Sequence, residues 1–217
     1  MRYTALILFF LFSIGCSGHG ENDGHDHSAH LDPKSSNSAV DHGSMDHSSM
    51  DHSKMESSPG AADAPQELQF IDTMIAHHQG AIDMARLAKE RTDNKQMLTF
   101  AEGIINAQER EIAEMRRWRA NWFDGKPPAV NMDLPGMREG MDDMDLKKLG
   151  GLKGSEFDLE FIRQMIPHHE GAVKMAAALK ARKEFGDLKK LAETIKKDQT
   201  GEITQMRKWQ AEWEKKP

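Results

Sequence analysis

Apolar side chains recur at spacings of three and four residues over four long stretches of the chain. This spacing places the apolar side chains on one face of an α-helix. Thr92-Asp93-Asn94 supplies a turn and a cap between the first two helices, and Ser155 is the predicted cap of the third. The first predicted helix runs from Glu67 to about Arg91 and the second from about Lys95 to Trp122. The third follows Ser155, and the fourth follows a break at Gly186-Asp187 and ends near Trp213.

The second pair of helices repeats the first pair 91 residues later. Residues 70–122 align without a gap with residues 161–213, and 23 of these 53 positions are identical. Each unit has the pattern of a helical hairpin with one open apolar face, and two such hairpins bury their faces against each other. We therefore predict an all-α four-helix bundle over residues 66–217, built from repeat units 66–122 and 157–213.

A connection over residues 123–154 joins the two hairpins and is rich in glycine, proline and methionine, so most of it should be irregular. It is long enough to run the length of the bundle, at up to about 3.3 Å per residue. This predicts the long crossover of a ferritin-like bundle. We interpret its four methionines as pliable apolar cover for the bundle, with a binding role left open: Met132, Met137, Met141 and Met144.

Residues 1–15 have the features of a signal peptide, with one arginine before an apolar run from Ala5 to Ile14. That run is too short to span a bilayer, which takes roughly 20 residues. The sequence ending in Gly15-Cys16 resembles a bacterial lipobox, in which the cysteine becomes the lipidated first residue. We therefore predict a lipoprotein anchored through Cys16 at the periplasmic face or cell envelope. The alternatives are a cleaved soluble form and an uncleaved anchor.

Cys16 is the only cysteine, so an intrachain disulfide and a thiolate metal site in the folded part are excluded. The formal net charge of −6 comes from residues 17–65, which contain nine acidic and two basic side chains. No basic surface therefore favours nucleic acid as a partner.

Residues 16–65 form a tail rich in His, Met and Asp that lacks aromatic residues and is predicted to be disordered. Three tandem pentapeptides, each Asp-His-x-x-Met, occupy residues 41–55. A linker alone needs neither imidazole nor thioether, so we predict a flexible metal chelator, in which the Asp-His pairs can also serve Cu(II). Its predicted ligands are His42, Met45, His47, Met50, His52 and Met55.

Paired histidines recur in both repeat units, with a methionine three residues before the first histidine and another six residues after the second. Helical geometry directs these side chains toward the bundle interior. Reflection through the turn of each hairpin places Glu111 level with His77 and Met115 level with Met74. In the second unit the same reflection places Glu202 by His168, and Met206 by Met165.

Thioether and neutral imidazole are ligands for Cu(I) and, by the same softness, Ag(I), whereas iron or manganese in a bundle favours carboxylates. The Glu-x-x-His motif of ferritin-type di-iron sites is absent from both units. Glu111 and Glu202 are therefore predicted to orient a histidine through its second nitrogen. We find no catalytic constellation and do not expect an enzyme.

The two segments Met74-Ile-x-His-His-x-Gly-Ala-x-x-Met84-Ala and Met165-Ile-Pro-His-His-Glu-Gly-Ala-x-x-Met175-Ala resemble the signature of the domain of unknown function 305 family. The resemblance covers about residues 66–215 and implies a ferritin-like bundle that binds Cu(I) and Ag(I). Ala76 stands where the family usually has proline. Carried over by position, the implied ligands are Met74, His77, His78, Met84, Met115, Met165, His168, His169, Met175 and Met206.

The function predicted from these features is an exported copper-binding protein that sequesters or delivers Cu(I) or Ag(I) and contributes to copper resistance. Its partners would be the metal ion, a copper-export or copper-chaperone protein, and the membrane through the lipid anchor only. Two alternatives stay open: a ferritin-like redox metalloenzyme, and a structural or interaction bundle whose histidine pairs are packing. Pro167, within the third helix, is predicted to kink or open that helix before His168.

Overall fold

The computed structural model of the protein describes residues 55–215, and helices are the only regular elements in this range. Two 3-10 turns, Ala61–Asp63 and Lys183–Phe185, precede the first and last helices. The α-helices are α1 (Gln66–Arg91), α2 (Lys95–Trp122), α3 (Met137–Met141), α4 (Leu146–Gly151), α5 (Gly154–Ala178) and α6 (Gly186–Trp213).

The four long helices form two hairpins, α1 with α2 and α5 with α6, as the repeat predicts. Asn94 caps α2, since its side-chain oxygen accepts a hydrogen bond from the backbone N–H of Gln96 (3.1 Å). Ser155 is not a cap, because α5 begins at Gly154 and Ser155 is its second residue. Lys153 precedes the helix, and no side chain caps it. The predicted break at Gly186 instead marks the first residue of α6.

α1 and α5 pack against each other in opposite directions. At one end, the side-chain amide of Gln66 donates to the carbonyl of Ala178 (3.5 Å), which joins the start of α1 to the end of α5. At the other end, the amide of Asn94 donates to Asp158 (2.9 Å), near the start of α5. The two hairpins are therefore related by an approximate two-fold axis that passes between α1 and α5.

Equivalent tryptophans make the same stacking contact in each of the two repeats. Trp118 stacks on Trp122 with ring centroids 5.2 Å apart, and Trp209 stacks on Trp213 at 5.3 Å, each pair within 8° of parallel. Phe100 of α2 packs edge-on against Trp209 of α6 at 5.1 Å. The contact between Phe100 and Trp209 joins α2 to α6.

The connection between the hairpins runs along the bundle, which confirms the predicted crossover. Its first part lies on α1, where the backbone N–H of Asn131 donates to the hydroxyl of Thr73 (2.9 Å). Its last part lies on α5, where the N–H of Asp145 donates to the side chain of Gln164 (2.9 Å). It is more regular than the sequence suggests, because α3 and α4 both lie within it.

The segment before α1 is held against this crossover, although residues up to 65 were predicted to belong to a disordered tail. The hydroxyl of Ser57 accepts a hydrogen bond from the N–H of Met132 (2.9 Å). Ser58 and Val130 exchange two more hydrogen bonds, at 2.8 and 3.2 Å. Hydrogen bonds of backbone and serine hydroxyl groups with the crossover thus order residues that lack an apolar pattern of their own.

α5 runs through Pro167 without ending. Proline has no N–H, so the carbonyl of Arg163 loses its usual partner four residues later. Because α5 nevertheless continues without interruption, the predicted opening of the helix before His168 is not observed. The predicted bend stays a prediction. Between residues 55 and 215, no helix has the length and apolar character needed to cross a bilayer.

A buried carboxylate ties the start of α1 to the loop before α6. Glu67, whose side chain is 3% exposed, accepts hydrogen bonds from the backbone N–H of Arg182 (2.9 Å) and from its guanidinium Nε (3.1 Å). Burial acts to raise the pKa of Glu67, but these hydrogen bonds and the charge of Arg182 outweigh it and hold the pKa below its ordinary value of 4.5.

We expect Glu67→Gln to lower the free energy of unfolding by about 1–2 kcal/mol at pH 7, because the charged acceptor of two hydrogen bonds becomes neutral. A carboxyl with a lowered folded-state pKa stabilises the fold above its unfolded pKa, and that stabilisation is lost as the pH falls through the folded pKa. In urea denaturation, the free energies of unfolding of wild type and Glu67→Gln should therefore differ at pH 7 and become equal well below pH 4.5.

The matched control is Asp187→Asn, which breaks an exposed ion pair with Lys190 (2.8 Å) and should change the stability little. A difference between wild type and Glu67→Gln that persists unchanged at low pH would contradict the role given to the carboxylate.

Candidate metal centre

Four histidines lie in the middle of the bundle, and all four side chains are fully buried: His77 and His78 on α1, and His168 and His169 on α5. Adjacent residues on a helix point about 100° apart. Each helix therefore directs one ring toward the other repeat and one ring toward the second helix of its own hairpin.

The first histidine of each pair faces the other repeat. The rings of His77 and His168 lie with their centroids 3.8 Å apart and their planes tilted by 39°. Because these residues occupy equivalent positions of the two repeats, their contact marks the approximate two-fold axis. The histidine pairs of the two hairpins thus meet at the middle of the bundle.

The second histidine of each pair contacts a glutamate of its own hairpin. His78 Nε2 lies 2.7 Å from Glu111 of α2, and His169 Nε2 lies 2.8 Å from Glu202 of α6. Each hairpin thus has the predicted contact between a glutamate and a histidine, and the role of the glutamate in orienting that ring for a ligand stays a prediction. The predicted partners, His77 for Glu111 and His168 for Glu202, are wrong by one residue in each hairpin.

These carboxylates determine which ring nitrogen is available to a ligand. An ionised carboxylate only accepts hydrogen bonds, so Nε2 of His78 and of His169 must carry the proton. In the neutral ring, Nδ1 then holds the lone pair. Both Nδ1 atoms are buried and have no hydrogen-bonding partner among residues 55–215.

His77 is a neutral imidazole at pH 7. Burial lowers its pKa well below the ordinary value of 6.5, and electrostatic interaction with His78 and His169 lowers it further. The carbonyl of His168 acts in the opposite direction and is outweighed. Neither ring nitrogen of His77 makes a hydrogen bond of good geometry within the described part of the chain.

The predicted methionine ligands are all at most 2% exposed and belong to the same core as the apolar side chains. They are Met74, Met84, Met115, Met165, Met175 and Met206. Burial is compatible with both packing and ligation, so the assignment of these thioethers as ligands stays a prediction. Within residues 55–215, no three His, Cys, Asp or Glu side chains are grouped to hold a metal ion. The interior thus offers imidazole and thioether, with carboxylates at its edge.

The crossover covers the His77–His168 contact. A Cβ built on Gly140 would lie 2.7 Å from His77 Nε2, and a Cβ built on Gly80 would lie 3.0 Å from the sulfur of Met144 and 3.2 Å from His168 Nε2. Met144 therefore lies beside His168, although apolar cover was the preferred interpretation of the crossover methionines. The recurrence of methionine in the crossover was the signal, but its periodicity did not show which sulfur reaches the interior.

Most of the predicted tail ligands lie outside the described residues: His42, Met45, His47, Met50 and His52, together with the predicted lipidation site Cys16. Met55 is the first described residue and packs, partly buried, against the core. It lines a groove of about 390 Å³ beside α1, together with Ile75 and Ala76.

The fold and its interior define a duplicated, ferritin-like four-helix bundle with buried histidine and methionine at its centre. The chain belongs to the DUF305 family, whose description is "domain of unknown function": the family model matches residues 23–119 and 67–210. A comparison with curated proteins gave no match.

Solved structures of this family are similar to the protein. CopM in its Cu(II)-bound form is 42% identical, with 68% of this chain and 97% of that chain covered and a TM-score of 0.57. CopM in its Cu(I)-bound form is 40% identical, with 68% and 96% covered and a TM-score of 0.57. A DUF305 protein from Streptomyces coelicolor, described as secreted, is 30% identical, with 68% and 93% covered and a TM-score of 0.59.

Proposed function

We propose that this protein is an exported copper-binding protein that holds Cu(I), with Ag(I) as its surrogate, through the methionines and histidines of the bundle. It would sequester or deliver the ion, and so contribute to copper resistance or homeostasis. The observation that carries this proposal is the buried set of imidazole nitrogens without hydrogen bonds, on His77, His78 and His169.

Burying a polar group without a partner costs about 1–3 kcal/mol. A fold that served only as a structural bundle would gain by replacing these rings with apolar side chains. The cost is instead present in both halves of the duplication, at equivalent positions 78 and 169. A bound cation would supply the missing partner of each nitrogen.

The choice of cation follows from the donor atoms. Neutral imidazole and thioether favour Cu(I) and Ag(I) over hard cations. The lowered pKa of His77 keeps that ring unprotonated and thus competent to bind. CopM, the similar protein solved with Cu(I), is also solved with Ag bound.

The remaining features of the proposal concern the N-terminal region and the kind of protein. We propose a lipid anchor on Cys16 and a tail that takes up Cu(II) as well as Cu(I) through its Asp-His-x-x-Met repeats. A secreted relative supports export. We propose a binding protein rather than an enzyme. The competing interpretation, a structural or interaction bundle whose histidine pairs are packing, is favoured only by the burial of those histidines in the core.

Anaerobic titration with Cu(I) against a colorimetric chelator tests the proposal. We define a tail variant of the full chain, in which every histidine before Met55 is changed to asparagine, Met45, Met50 and Met55 are changed to leucine, and Cys16 is changed to serine. This variant should bind fewer Cu(I) ions than wild type but still compete with the chelator. If it fails to compete while wild type succeeds, the tail alone binds copper and the bundle is only a scaffold.

A further inference from the structure

Two equivalent glycines of the repeats, Gly80 and Gly171, have different neighbours. A Cβ built on Gly171 would lie 2.4 Å from the carbonyl oxygen of Gly136 and 2.9 Å from the Cα of Gly140. These are backbone atoms of the crossover, which cannot move aside. Gly171 is therefore explained by packing, since only glycine lets the crossover backbone approach α5 this closely.

Gly80 has no such explanation. The three atoms nearest to a Cβ at this position would all belong to side chains: Sδ and Cε of Met144, each at 3.0 Å, and Nε2 of His168 at 3.2 Å. The end of a methionine side chain is flexible and could make room for a methyl group. Because Gly80 has no side chain, there is a space beside it, and the thioether sulfur of Met144 and the imidazole nitrogen of His168 both border this space.

The surroundings of this point are those of a ligand site. His168 is fully buried and Met144 is 5% exposed. The sulfur comes from the crossover and the nitrogen from α5, so two separate elements converge on the surface of α1. The two donor types are the pair that a soft monovalent cation prefers.

We propose that Met144 Sδ and His168 Nε2 together bind one soft monovalent cation, Cu(I) or Ag(I), in the space beside Gly80. The inference rests on the proposed copper-binding function and adds to it a ligand from the crossover. The site exists once, because crossover backbone occupies the equivalent position at Gly171. The bound cation joins α1, the crossover and α5, so the two halves of the duplication are unequal in metal binding.

The test uses full-length protein labelled with ¹³C at the methionine methyl groups and titrated with Ag(I), which is followed by NMR. The Met144 signal is assigned by its loss in Met144→Leu. We expect this signal to shift on binding, because coordination changes the electron density at the sulfur. The matched control signal is that of Met132, a buried methionine of the same crossover that packs near Ser57, and it should not shift.

Variants test the same site by stoichiometry. Met144→Leu and Gly80→Ala should each bind one Ag(I) fewer than wild type, since the first removes the sulfur and the second fills the space with a methyl group. Met132→Leu and Gly103→Ala are the controls, and both should keep the full stoichiometry; a Cβ at Gly103 has no neighbour within 4 Å.

The outcomes separate this inference from the proposed function. If other methionine signals shift while that of Met144 stays in place at saturation, the site beside Gly80 is wrong and copper binding by the bundle stands. If no methionine of the bundle responds to Ag(I), both fail. The wild-type spectrum gives this answer even if a variant does not fold.

Discussion

Replacing Met74, Met84, Met165 and Met175 together with leucine should lower the Cu(I) affinity of the bundle at least about a hundredfold, or about 2.7 kcal/mol at 25 °C. Leucine nearly conserves the volume of methionine, and such exchanges in a core cost less than about 1.5 kcal/mol each. All four side chains are buried. The substitution thus removes the sulfur atoms and keeps the packing.

Chelator competition in the background of the tail variant measures this effect, after circular dichroism has shown that the helices are intact. Met97 and Met132 provide the control, since both are buried methionines outside the predicted ligand set. Their exchange for leucine should leave the affinity unchanged. An unchanged affinity in the fourfold variant would instead assign its methionines to packing.

Ag(I) should raise the stability of the folded protein by a large amount. A ligand that binds only the native state at a free concentration 1,000 times its dissociation constant adds about 4.1 kcal/mol for one site. For a domain of this size, each kcal/mol corresponds to about 2–4 °C in Tm. We therefore expect a rise of roughly 8–16 °C for one site.

The native state is favoured because only the folded bundle brings the imidazoles and thioethers of both repeats together. Thermal unfolding followed by circular dichroism, with and without Ag(I), measures the shift, and a strong chelator should reverse it. The fourfold leucine variant should show a much smaller rise. Equal shifts in wild type and variant would mean that Ag(I) stabilises the fold without those sulfurs.

The apolar pattern and the internal repeat were enough to predict the four long helices, the two hairpins and the crossover, but not α3 and α4 within the crossover. The two patterns predict well how far along the helix axis a residue lies, and less well in which direction around the axis its side chain points. This is why Glu111 was expected at His77 and is found at His78. A shift of one residue turns a side chain by about 100°, which exceeds the precision of a reflection through the turn.

Features that depend on contacts distant in sequence could not be predicted. The path of the crossover is set by its contacts with α1 and α5, so the sequence did not show that Met144 reaches His168. For the same reason, Ser57 appeared to belong to a disordered tail, whereas its hydroxyl accepts a hydrogen bond from the backbone N–H of Met132. The asymmetry between Gly80 and Gly171 likewise has no signal in two nearly identical motifs.

The central claim is that the bundle itself holds Cu(I) through imidazole and thioether together. X-ray absorption spectroscopy of the Cu(I)-loaded tail variant tests it most directly, because the copper then reports only the ligands of the bundle. The account predicts copper in the +1 state with both nitrogen and sulfur neighbours, and a loss of sulfur neighbours in the fourfold leucine variant. Copper surrounded by nitrogen and oxygen alone in the tail variant would contradict it.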